Sequence, residues 1–181
     1  MIEERKYIIT MPILVAIGSI LMIALAIANS WLGPTREGVM LFCEHARDGF
    51  VKQPSNTFSN VGFIAMGFYI SYLAYKNKFS LRNRMTSTIF YPAYYASIVV
   101  FLGPGSMALH ATNTIWGGFI DVFSMFLFAS FIASYALMRW FNLSKYSFIA
   151  LYILFVGISS WASLSPYNSI TPLVDLSNYC F

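Results

Sequence analysis

Five runs of mostly apolar residues, each long enough to cross a bilayer as a helix, dominate this chain at residues 8–28, 56–75, 86–109, 115–138 and 146–164. Nothing else in the sequence constrains the fold as strongly. Hydrocarbon offers no water to an open backbone N–H or C=O, so each run must close its hydrogen bonds within itself. The expected fold class is therefore all-α, a polytopic transmembrane helical bundle forming one membrane domain over residues 1–181. Composition agrees, since only 10% of the residues are charged, where soluble domains run near about a quarter. Twelve Tyr and four Trp suit the aromatic belts of a protein with long membrane interfaces.

The first run follows Arg5 and Lys6 and ends in "AIA" before Asn29, which has the look of a signal-peptidase site. Its apolar stretch is longer than the core of a cleaved signal, and Glu3 and Glu4 precede it, so an uncleaved first helix is expected. Residues 29–55 are polar and hold three of the seven acids, and are expected to form a loop lying on the bilayer surface. Orientation follows from the basic residues. Eight of the eleven, Arg5, Lys6, Lys76, Lys78, Arg82, Arg84, Arg139 and Lys145, fall at alternate ends of the spans, and Arg36, Arg47 and Lys52 fall at the others. Lys and Arg concentrate in cytoplasmic loops. The expectation is a multi-pass protein with its N-terminus in the cytoplasm and residues 29–55, 110–114 and 165–181 on the opposite side. The net charge of +4 reflects this asymmetry and no basic face, so no nucleic-acid partner is expected.

On that topology the polar residues converge. Asn56, Ser59 and Asn60 share one helical face at the start of the second span. The third span, taken as broken by Gly103-Pro104-Gly105, delivers Ser106 and His110 one turn apart. The fourth leaves the same surface with Asp121 about two turns inside, the one acid within any span. An intramembrane carboxylate is costly and needs a partner, for which His110 and Ser106 are candidates. Each residue also has a plainer role open to it: Asn56 as a helix cap, Ser106 bonded back to its own helix, His110 as a satisfied helix-end polar group. The aromatic stretch "IFYPAYY" is expected to face lipid. Gly103, Gly105, Gly117 and Gly118 bracket the site and permit close helix approach. Cys43 and Cys180 can pair only if both face the same compartment.

The stretches "CEHARDGFVKQPSNTFSN" and "GPGSMALHATNTIWGGFID" resemble the alkaline ceramidases, and more loosely a superfamily of seven-helix membrane hydrolases that includes adiponectin-type receptors. The matching residues are Cys43-Glu44, Asn56-Thr57-Phe58-Ser59-Asn60, Gly103-Pro104-Gly105-Ser106 with His110, and Asp121, covering residues 43 to 121 in order. The resemblance implies a zinc-dependent amidase acting on ceramide-like N-acyl sphingoid lipids from the bilayer, built as a seven-helix core plus an extra N-terminal helix. It makes His110 a zinc ligand, Asp121 the group that holds or deprotonates the metal-bound water, and Ser106 the oxyanion donor. It implies a calcium ligand at Glu44, with Leu41 and Gln53 replacing acids expected nearby, and a disulfide between Cys43 and Cys180.

The chain departs from that pattern in having no histidine after His110, where the family has a His-x-x-x-His pair on its last helix. The expectation is a chain cut short of its last helices or a homologue that has lost the metal. His45, the other histidine, lies in the loop. Two functions follow: a zinc-dependent lipid amide hydrolase, or a non-catalytic membrane sensor or scaffold that keeps the polar core.

Overall fold

The computed structural model describes residues 5–35, 44–76 and 84–164. They form an all-α bundle in which five helical spans are long and apolar enough to cross a membrane. Helix α1 is Tyr7–Ala28. The second span is in two pieces, α2 at Pro54–Ser59 and α3 at Val61–Lys76. A 3-10 turn at Arg84–Thr86 leads to α4, Phe90–Thr112. Helices α5, Ile115–Trp140, and α6, Lys145–Leu164, complete the order.

Helix α4 is the axis of the bundle. It is buried along most of its length, and α1, α2, α3 and α5 all pack against it, while α6 rests on α5. The local reasons are legible. Pro12 lacks an N–H, which orphans the Ile8 carbonyl one turn back. The Ser71 hydroxyl of α3 donates to that carbonyl at 2.5 Å in a buried site, and this ties α3 to α1. At the other end α4 stops where Asn113 turns left-handed (φ 55) and returns its N–H to Leu109. Thr114 then caps α5 by accepting from the Gly117 N–H at 3.0 Å.

Two expectations are corrected here. The Gly-Pro-Gly motif does not break the third span, because α4 runs unbroken through Pro104 to Thr112. Its glycines serve packing instead. A Cβ on Gly105 would stand 2.6 Å from the Ser124 Cβ of α5, and one on Gly103 would stand 2.8 Å from the Asn60 carbonyl. Nor does "IFYPAYY" face lipid as a whole. Tyr91 is buried, and its ring meets Tyr135 and Phe148 in an aromatic cluster between α4, α5 and α6.

The described end of the loop before α2 is hydrogen-bonded to the last turn of α4. Lys52 N–H donates to Ala111 O at 3.0 Å and Gln53 N–H to His110 O at 2.9 Å. Thr35 forms a β-bridge with Thr114, and its hydroxyl donates to Thr112 O at 3.2 Å.

Candidate functional site

The tight turn at Asn113 and Thr114 folds α5 back along α4 so closely that a Cβ on Gly117 would lie 2.6 Å from Ala108 O. That approach brings Ser106, His110 and Asp121 into one buried cluster. The Asp121 carboxylate interacts with the Ser106 hydroxyl and lies within electrostatic reach of His110. Asp121 is 5% exposed, and among the described residues its Oδ1 has no hydrogen-bond donor. A buried carboxylate oxygen without a donor is costly to maintain.

The entry space is adjacent. A cavity of about 350 Å³ has Ser106 and Asp121 in its wall and is otherwise lined by apolar side chains, among them Phe63, Met66 and Ile70 of α3, Val99 and Leu102 of α4, and Met125 and Phe128 of α5. That volume falls in the range of small-molecule pockets. It follows α5 from Asp121 to Phe128, about two turns or roughly 10 Å. Phe63, Met66 and Met125 are exposed on the flank of the bundle, so the hollow opens sideways, between α3 and α5, toward the lipid-facing surface.

The other expected residues divide. Asn60 is buried but closes on its own helix, donating to Asn56 O at 2.7 Å. Ser59 is exposed and donates to the same carbonyl at 2.9 Å, so the shared face proposed for Asn56, Ser59 and Asn60 does not point as a unit into the site. Half-buried Asn56 reaches Gln53 Oε1 at 3.4 Å. Both Glu44 oxygens are engaged as a cap for α2: Oε1 accepts from Ser55 N–H at 2.9 Å and Oε2 from Asn56 N–H at 2.7 Å. Desolvation raises the Glu44 pKa, but the Asn56 and Ser55 N–H donors and the Arg47 guanidinium outweigh it and hold the group below its ordinary value. His45 is exposed. Cys43, Cys180 and Leu41 lie outside the described residues.

One central residue was read from sequence only as a substitution for an acid. Gln53 is 2% exposed, and its Oε1 lies 2.8 Å from His110 Nδ1 while its Nε2 donates to Glu44 O at 2.8 Å. The available signal was its place immediately before Pro54, which starts α2 and makes Gln53 the cap position. Among the described residues no three His, Cys, Asp or Glu side chains gather. Zinc takes at least three protein ligands, so His110 and Asp121 fall short, and the described residues alone do not fit that metal. Comparison with protein-family models, characterised proteins and solved structures finds no match to this chain.

Proposed function

We propose that this chain is a multi-pass membrane hydrolase that cleaves the amide of ceramide-like N-acyl sphingoid lipids, with its N-terminus in the cytoplasm and its site near the opposite face. The observation that carries this reading is the apolar hollow walled at one point by Ser106 and by Asp121, whose Oδ1 lacks a donor among the described residues. An acyl chain entering sideways from the bilayer would lie against Met66, Val99 and Phe128, with its amide beside the two polar groups. The resemblance to alkaline ceramidases names the lipid class. Because the described residues do not complete a zinc site, no step is routed through a metal.

In the chain's own terms, Asp121 accepts a proton from a water that adds to the amide carbon. Ser106 donates to the carbonyl oxygen as its negative charge builds, an interaction worth about 3 kcal/mol in a dry site. The C–N bond then breaks, Asp121 returns the proton to the departing amine, and the fatty acid and sphingoid base separate. The apolar walls keep other water out.

The ligand set, incomplete among the described residues, is what supports a second reading, a non-catalytic membrane sensor or scaffold that keeps the polar core, with the lipid bound there and left intact. One experiment separates them. The full chain, purified into lipid nanodiscs, is given an N-acyl sphingoid lipid, and released fatty acid, retained lipid and zinc content are measured. Hydrolysis is expected, falling roughly 100-fold or more in Asp121→Asn and Ser106→Ala. Zinc near one per chain that is lost in His110→Ala would add the metal. Lipid retained without hydrolysis selects the scaffold, and neither retention nor hydrolysis overturns both.

A further inference from the structure

The histidine in this cluster is held by an amide whose orientation is fixed. Gln53 Nε2 donates to the Glu44 backbone carbonyl at 2.8 Å. A carbonyl can only accept, so the amide nitrogen must lie on that side and Oε1 on the other. Oε1 then faces His110 Nδ1 at 2.8 Å, with Asn56 Nδ2 at 3.4 Å as a further donor. An amide oxygen also only accepts. The ring nitrogen opposite it must therefore carry the proton.

The amide has little freedom to turn. Gln53 N–H is bonded to His110 O and Lys52 N–H to Ala111 O, which pins the segment along the last turn of α4. Glu44, whose own carbonyl receives the amide, is anchored by Ser55 and Asn56 N–H. Loop, α2 and imidazole thus form one hydrogen-bonded assembly, with Gln53 and His110 as its buried members.

We propose that Gln53 is a positioning residue that holds His110 as the Nδ1–H tautomer, making Nε2 the basic nitrogen of the neutral ring. Histidine free in water favours the opposite tautomer, so the protein must impose this one. Hydrogen bonding of one ring nitrogen decides what the other can do, as a base or as a metal ligand. What Nε2 does depends on the hydrolase reading above, whereas the tautomer does not.

The test is nitrogen NMR of the full chain labelled with ¹⁵N-histidine, at a pH where the ring is neutral. His45→Ala is used throughout so that one imidazole remains. Nδ1 is expected in the protonated range and Nε2 in the unprotonated range. In Gln53→Met, which keeps the volume but offers no amide acceptor, the two signals should exchange ranges or move toward averaged positions. Gln53→Glu, which restores an acceptor oxygen, should return Nδ1 to the protonated range. A parent protein with Nε2 protonated overturns the proposal without any variant, and so does a Gln53→Met spectrum unchanged from the parent. Fatty-acid release is not needed for any of these outcomes, so a loss of the hydrolase reading would leave this one standing or falling by itself.

Discussion

The two halves of α4 solve the same packing problem in opposite ways. Its first half meets α5 and α6 through large rings: Tyr95 and Phe131 have centroids 5.1 Å apart, Tyr91 and Phe148 5.2 Å, and Tyr94 and Tyr152 5.4 Å. Its second half presents Gly103, Gly105, Ser106 and Ala108, and there the neighbouring backbones come into near contact. Lipid tails are as apolar as the side chains, so hydrophobic transfer does little to hold membrane helices together. Interlocked rings supply dispersion and edge-to-face contacts. Small residues supply close approach and leave polar groups within reach of one another. The cavity spans Tyr95 to Ser106, between the two regimes. The comparison teaches that one half secures the helices and the other makes room for chemistry.

The largest expected effect tests the first half. Phe131 touches rings of Tyr94, Tyr95, Tyr135, Phe148 and Tyr152. Phe131→Ala should lower stability by about 2 kcal/mol, below the roughly 3–5 seen in water-soluble cores because lipid is itself apolar. Thermal unfolding in one fixed detergent measures it, and an unchanged midpoint would break the division of labour. Gly105→Ala tests the second half. Its new Cβ cannot coexist with Ser124 at 2.6 Å, so α4 and α5 must part, at about 1–2 kcal/mol. Any hydrolysis or lipid retention should fall further than this modest destabilisation explains. If Gly105→Ala costs more stability than Phe131→Ala, the contrast is wrong.

The smallest effect is a pH dependence at the α2 cap. Folding depresses the Glu44 pKa, so its contribution is complete above the ordinary value of 4.5 and is lost as pH falls below it, through the folded value. Amide-exchange protection at Ser55 and Asn56 should therefore decline on acidification in the parent. In Glu44→Gln that decline should vanish. Persistence of the same decline in the variant would assign the effect elsewhere.

Much of this architecture could be read from the residue order. The five apolar runs gave the spans to within a few residues, and left residues 110–114 as a short connection, in which the structure shows Asn113 left-handed and Thr114 capping α5. Ser106 and Asp121 were also legible, because a carboxylate inside a span demands a reason. The Gly-Pro-Gly motif misled because a proline in isolation signals a break, whereas α4 is clasped on several sides and keeps its helix. "IFYPAYY" misled because aromatic content is the same for a belt and a core; only neighbours on α5 and α6 distinguish them. Ser59 and Asn60 share a helical face with Asn56 by spacing, yet their hydroxyl and amide both turn back to Asn56 O.

The sequence by itself determined that this is a helical membrane bundle with a lone intramembrane acid, because span length and the cost of burying charge are properties of the residues alone. Tertiary structure decided what that acid meets. The Gln53–His110 bond joins residues far apart in the chain, and the hollow beside Asp121 is bounded by three helices. The first needs the loop bonded to the last turn of α4, and the second needs the close α4–α5 approach that Gly105 and Gly117 permit.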